Sequence, residues 1–356
     1  MNLLNIFYFL ILLSLIVVVH ELGHFIAAKC FGVWCYEFSF GMGPVLWKHK
    51  GKETQFSIRA LPIGGFVSMA GETDGDEAYP DVQVPEGRRL IEKKPWQKIV
   101  IMLAGVFNNF ILAFLIFSFV ILGNGTFSKS PKAIAADVVE NSAAEKAGFQ
   151  AGDVIKKIVK EDGSSVEPEN YIDMQSFSSN YSGVEVYTVE RNGQELTLTV
   201  TPEYDSDSGM YLIGISAPEA EMININLLNC FYYGGYEMKM ITKLMFTTLA
   251  ALFLHGSGLE QMSGPVGIYQ AAGTYASMGI SAFMFLVAEL SLNVGIFNLL
   301  PLPVLDGGQV IITIIEWVAH RTLNQKVKMG IMVACWVLLI GFMIFVTWND
   351  ISRLLH

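Results

Sequence analysis

An uncharged run from Leu3 to Val19, LLNIFYFLILLSLIVVV, leads directly into His20-Glu21-Leu22-Gly23-His24. Such a run reads as a membrane-spanning helix, and each ionisable group at bilayer depth costs roughly 2.5–3.5 kcal/mol on insertion scales. Two imidazoles and a carboxylate placed there need a compensating partner, and a bound metal ion supplies one. At about 3.6 residues per turn, His20 and His24 share one helix face. There they can bind a single Zn2+ at roughly 2.0–2.1 Å each. Glu21 borders that face, within reach of water at the metal, and can act as a general base. Gly23 keeps the intervening surface small, so a second backbone can approach. The alternative for these five residues is a polar helix end at the membrane interface.

With 52% hydrophobic and 16% charged residues, the composition fits a membrane protein. A net charge of −10 without a polybasic tract argues against a nucleic-acid partner. Cys30, Cys35, Cys230 and Cys335 suggest neither a zinc ribbon nor a disulfide framework. The first apolar run lacks a positively charged leader and a convincing small-x-small cleavage site, so it is expected to be a retained helix.

Three further stretches can span about 30 Å of hydrocarbon: about Trp96 to Leu122, about Ser281 to Leu300 (broken by Pro301 and Pro303), and about Met329 to Trp348. The short 318–328 turn carries Arg321, Lys326 and Lys328 and no acid, so it is expected on the cytoplasmic side. Residues 124–280 hold nineteen acidic and nine basic residues and are expected outside. Met238 to Leu254 is apolar but contains Lys239 and Lys243, and reads as an amphipathic helix on the outer membrane surface. A fifth span there would put Asp306 at the face opposite His20 and His24. The expected organisation is 1–28 first transmembrane helix with the metal motif, 29–95 cytoplasmic loop with a membrane-associated β element, and 96–123 second transmembrane helix. There follow 124–220 a soluble α+β domain, 221–280 a surface helix and linker, and 281–317 the third transmembrane helix. The cytoplasmic turn 318–328 and a fourth helix with its tail, 329–356, complete the chain.

Within the first loop, Phe38–Pro44 and Gln55–Arg59 alternate like strands around a Lys-His-Lys-Gly-Lys turn, and Gly64-Gly65-Phe66-Val67 follows. Non-helical backbone at membrane depth is tolerated only inside protein or along a cavity. The element is therefore either a re-entrant β structure with an edge for an extended substrate, or an ordinary β-hairpin domain in the cytosol. Residues 72–90 read as a mobile loop. Within 131–217, Ile134–Val139 and Leu196–Val200 are strand-like, and Arg191-Asn192-Gly193-Gln194 is a hairpin turn. No catalytic constellation appears there.

A catalytic zinc site needs a third protein ligand and an open position. The candidate is Asp306, in Asn298-Leu-Leu-Pro301-Leu-Pro303-Val-Leu305-Asp306-Gly307-Gly308. The prolines interrupt the helix and the glycines relax the backbone, so the carboxylate can point into the bundle. In a four-span chain Asp306 ends at the same depth as His20 and His24. Asn298 could donate to a scissile carbonyl or an extended substrate strand, or act only as glue between helices.

These motifs together resemble the site-2 protease family of intramembrane zinc metalloproteases, in particular its bacterial RseP/RasP branch. Phe40-Gly41-Met42-Gly43-Pro44, Leu61–Val67 and Ser263-Gly264-Pro265-Val266-Gly267-Ile268 match that branch, and 131–217 resembles its PDZ domain, present once. The resemblance implies a polytopic α-helical protein of the bacterial inner membrane with four spans, an extracytoplasmic PDZ-like domain and a site near the cytoplasmic side. It implies zinc on His20, His24 and Asp306, with Glu21 activating water. It also implies that Asn293 and Asn298, and the strand at Gly64, Gly65 and Phe66, hold the substrate. That substrate would be a single-span membrane protein, an anti-sigma factor or a signal-peptide remnant. A metal transporter, or a scaffold with an inactive site, are the readings from other classes.

Overall fold

The computed structural model describes residues 3–72, 76, 78–206, 208–255 and 263–355. Of the expected segments, 1–2 of the first helix, 73–75 and 77 of the polar loop, 207 of the α+β domain, 256–262 of the linker and 356 of the tail lie outside them. The chain forms two units, Met1–Asn124 with Asn226–His356, and Gly125–Ile225.

The opening apolar run continues through the His-Glu-His segment as one helix, α1, Leu3–Cys30. No proline interrupts it, so every interior amide keeps its bond to the preceding turn. Strands β1, Cys35–Lys50, and β2, Gln55–Met69, make a long hairpin. Both strands bend, at Gly41 and Gly43 in β1 and at Gly64 in β2, and all three glycines take positive φ. The bends fold the hairpin onto itself. Phe38 pairs with Val67 on one side and Phe56 on the other, and Ser39 with both Phe66 and Ser57. One outer edge is thus 65–69, and it runs beside α1. Ser14 Oγ donates to Pro62 O at 2.5 Å, and Gly65 packs on Val18. The 51–54 turn is pinned by Glu53, which Arg88 and Lys29 bracket at 2.6 and 2.9 Å and hold down to a pKa of about 2. Helix α2, Pro95–Asn124, follows, with proline at the first position, where a missing N–H is tolerated.

The second unit is closed at its chain ends by β3, Thr126–Lys129, pairing with β12, Glu221–Asn224. Two short pairs join β4, Asp137–Val138, to β11, Ile215–Ser216, and β9, Glu203–Asp205, to β10, Met210–Leu212. The strand expected over 134–139 is cut to β4 because Ala135 and Ala136 bond to different neighbours, Asp153 O and Ser216 O. Its main sheet has the order β6-β5-β7-β8, from β5 Val154–Lys160, β6 Ser165–Val166, β7 Glu185–Arg191 and β8 Gln194–Val200. Asn192 and Gly193 join β7 to β8 with φ of 52° and 77°, the two left-handed residues of a tight hairpin turn. Helix α3, Ala143–Ala147, is capped by Ser142, and α4, Tyr171–Ser178, by Asn170. Ile158, Tyr187 and Val189 form the dry centre.

The chain returns to the first unit with α5, Cys230–His255, and α6, Pro265–Ser277. The region expected as a surface helix and linker thus contains two helices. Gly234 and Gly235 bring α5 onto Ser118 and Phe114 of α2, and Met238, Ile241, Met245 and Leu249 pack on the bundle core. Then come α7, Ile280–Asn298, α8, Asp306–Ala319, and α9, Gln325–Leu355. Four helices among the described residues are long and apolar enough to cross a membrane: Leu3–Cys30, Pro95–Asn124, Ile280–Asn298 and Lys326–Ser352. This agrees with the four spans expected of a polytopic membrane protein. Leu12 and Ile16 of α1, Phe117 of α2 and Val287 and Leu292 of α7 are the buried centre of the bundle. The Ser263–Gly267 motif has a packing role: Asp350 of α9 accepts from Gly264 N and Gly267 N at 3.1 and 2.8 Å, capping α6.

In the second unit, Arg191 forks onto the buried Asp153 at 2.6 and 2.7 Å. Burial pushes the Asp153 carboxyl up, but the guanidinium outweighs it and holds the group below the usual carboxylate range. The stabilisation is therefore complete above about pH 4 and is lost as pH falls through the depressed value. Arg191→Met strands the buried carboxylate, at a cost of about 3–5 kcal/mol. Amide exchange in β5 and β7 of the full chain is expected to accelerate, while exchange in α1 and α2 stays unchanged.

Candidate metal centre

His20 and His24 lie on the buried face of α1, with ring centroids 4.7 Å apart. Their Nε2 atoms face each other at 3.2 Å. Asp306 Oδ2 lies 3.1 Å from His20 Nε2 and 3.5 Å from His24 Nε2. Two donors at 2.0–2.1 Å from a tetrahedral zinc are separated by about 3.3–3.4 Å, so the three atoms already mark one face of such a tetrahedron. The Asp306 Oδ2 atom is buried and makes no directed hydrogen bond. Three acceptor atoms converging without donors between them fit a cation. His20, His24 and Asp306 form the one group of three or more His, Cys, Asp or Glu donors able to hold a metal ion among the described residues.

Each donor is aimed by its element. The Ile101 carbonyl lies 2.8 Å from His24 Nδ1, so that nitrogen carries the proton and Nε2 keeps its lone pair. Asp306 opens α8, where the helix dipole favours a carboxylate. Between α7 and α8 the chain turns through Pro301 and Pro303, and Leu305 N bonds to Leu302 O. Gly307 and Gly308 were expected to relax the backbone, but neither takes a left-handed conformation. Their role is steric. A Cβ at Gly307 would lie 2.3 Å from Leu299 O, and one at Gly308 2.1 Å from Leu302 O.

Gly23 does admit a second backbone. A Cβ there would lie 2.2 Å from Ala104 O of α2. The matching residue on α2, Gly105, was not singled out in the sequence. Its Cβ would sit 2.4 Å from His24 Nε2 and 2.8 Å from His20 Cε1. Asn108 Nδ2 donates to Val19 O at 3.1 Å, and Asn109 lies 3.3 Å from His20 Nδ1. Gly105 and Asn109, four apart on one face of an apolar helix, were the available sign.

Glu21 is half-buried beside the cluster, and its Oε2 accepts from Val67 N of β2 at 3.2 Å. Gly64 and Gly65 lie on Val17 and Val18, whereas the Phe66 ring stacks under the Arg59 guanidinium at 5.0 Å. Asn293 and Asn298 are half-buried on α7, and their amides make no hydrogen bond among the described residues. No hydrogen bond among the described residues joins either of them to His20, His24 or Asp306.

The profile described as peptidase family M50 matches residues 8–342. A putative zinc metalloprotease of Clostridium perfringens is 35% identical over 343 residues, covering 96% of this chain and 97% of that protein. The zinc metalloprotease RasP of Shouchella clausii is 31% identical, covering 97% and 98%. The regulator of sigma-W protease RasP of Bacillus subtilis is 30% identical, again covering 97% and 98%.

Gly105→Ala is expected to displace both imidazoles. Zinc affinity, measured by chelator competition on the purified protein, should fall on the order of tenfold or more, with helix content by circular dichroism unchanged.

Proposed function

The chain belongs to peptidase family M50 and is a zinc metalloprotease of the membrane, and from that premise we propose that it cleaves single-span membrane proteins within their transmembrane segments. Zinc is held by His20, His24 and Asp306, and Glu21 is the general base. The observation that carries this reading is the 3.1–3.5 Å triangle of donor atoms with a carboxylate one residue from His20. Bound zinc supplies Lewis acidity to the scissile carbonyl and acidity to the attacking water. Glu21 takes a proton from that water as its oxygen bonds to the carbonyl carbon. The same proton goes to the amide nitrogen as the C–N bond breaks.

A helical substrate must unwind first, because its carbonyls are occupied and its backbone is shielded. The 65–69 edge of β2, with Glu21 bonded to Val67 N, offers a place for the unwound segment to pair. The hairpin acts as a re-entrant element. Its bends lie beside Ser14 and Val17, within the apolar run of α1, and Met42, Leu46, Trp47, Leu61 and Ile63 are exposed as a lipid-facing surface would be. Asn293 and Asn298, with uncommitted amides, are candidates to hold substrate carbonyls.

The basic 318–328 turn supports a site near the cytoplasmic side of the bacterial inner membrane. Gly125–Ile225, with its four-stranded sheet and two capped helices, acts as an extracytoplasmic PDZ domain. The name of the Bacillus subtilis relative, a regulator of sigma-W protease, supports anti-sigma-factor-like substrates, and signal-peptide remnants form a second substrate class.

Glu21→Gln is expected to keep its zinc and lose cleavage of a single-span reporter by on the order of 10²–10⁴-fold. Asp306→Ala is expected to lose both zinc and activity. Cleavage that survives Glu21→Gln overturns the assignment of the base. In a reporter panel, helix-destabilising residues at the scissile segment should speed cleavage; equal cutting of rigid polyleucine segments contradicts the unwinding step.

A further inference from the structure

We propose that Asn109 is a positioning residue of the metal centre: its amide oxygen accepts the Nδ1 proton of His20 and so leaves the Nε2 lone pair to the metal. This rests on His20 being a zinc ligand, as argued above.

A neutral imidazole has one proton for two nitrogens, and the partner of one nitrogen decides the chemistry of the other. His20 Nε2 faces His24 Nε2 at 3.2 Å and Asp306 Oδ2 at 3.1 Å, so the metal seat requires the lone pair there and the proton on Nδ1. A buried Nδ1–H needs an acceptor. Asn109 is the group in reach, its amide nitrogen 3.3 Å from Nδ1. Its side chain is fully buried, and its Oδ1 is bonded to nothing. A half-turn of the amide about Cβ–Cγ exchanges two atoms of nearly equal size. It puts the orphaned oxygen opposite Nδ1 and removes the clash of roles, since an amide N–H facing Nδ1 would force the proton onto Nε2.

His24 has the same arrangement in simpler form, with the Ile101 carbonyl 2.8 Å from its Nδ1. Ile101 and Asn109 are eight residues apart on α2, about two turns. Each imidazole of α1 is therefore oriented from one face of α2, with Gly105 midway providing the room. His20 Nδ1 is met by a side chain of α2, Asn109, where His24 Nδ1 is met by backbone. Asn109 is itself fixed from α7: Ser291 Oγ donates to Asn109 O at 3.0 Å, and both residues are fully buried.

The test compares Asn109→Leu and Asn109→Asp in the full chain, with zinc affinity measured by chelator competition. Asn109→Leu keeps the volume and removes the acceptor, and is expected to weaken zinc binding about 10–100-fold. Asn109→Asp restores an acceptor for Nδ1–H and is expected to bind zinc within a few-fold of the unsubstituted protein. A purely structural role predicts the reverse order, because a buried carboxylate is harder to pack than leucine in an apolar helix. Wild-type affinity in Asn109→Leu, or an Asn109→Asp as weak as the leucine variant, overturns the proposal. His20→Ala runs alongside; if it keeps zinc at full affinity, the ligand assignment fails, and the proposal with it. A reading that needs no variant of Asn109 is 15N NMR of histidine-labelled, zinc-loaded protein with the histidines outside the site replaced. A protonated Nδ1 on His20 is expected, and an unprotonated Nδ1 overturns the proposal.

Discussion

The site depends on the contact of two helix backbones at Gly23 and Gly105. A Cβ on either glycine would overlap the other helix or the imidazoles themselves, at 2.2 Å from Ala104 O and 2.4 Å from His24 Nε2. Only with both side chains absent does α2 come near enough for Ile101 O to reach His24. The van der Waals and hydrogen-bond terms that hold helices together in lipid favour such small-residue crossings. Here the crossing also encloses the candidate metal centre, because a polar group on an isolated α1 would face hydrocarbon.

Burial sets the second constraint. His20 and His24 are each 8% exposed, and Asp306 Oδ2 is sealed from solvent. Without a cation, three converging acceptors in an apolar bundle are mutually unfavourable. A divalent ion would reverse the sign of that arrangement, so metal binding there would be coupled to local packing. The broken helix between α7 and α8 serves the same end. It delivers a carboxylate sideways at the depth of α1's histidines, and Gly307 and Gly308 let the turn close against the start of α8.

Much of this was legible in the sequence. His20, Glu21, His24 and Asp306 stood out because each is ionisable where the surroundings are apolar, and the loop charges put both motifs at one depth. Gly23 was readable as a place of close approach because it sat between two candidate ligands. Gly105 and Asn109 were not, since a glycine and an asparagine in an apolar helix have many ordinary uses and their meaning depends on which helix crosses there. The reason for Gly307 and Gly308 was also hidden: their requirement comes from carbonyls at Leu299 and Leu302 that only the folded turn brings near. Alternation showed strands in 35–69, but not that the hairpin folds on itself, because side-chain period does not encode which segments become neighbours. The shortened β4 and the packing of α5 on α2 were lost for the same reason.

The zinc environment itself is the most direct test. X-ray absorption at the zinc edge of the purified protein should give nitrogen and oxygen donors at about 2.0–2.1 Å, with the outer-shell scattering of two imidazoles and no sulfur. A sulfur shell at about 2.3 Å, which would bring in cysteine, or the absence of imidazole scattering, would contradict a centre built from His20, His24 and Asp306.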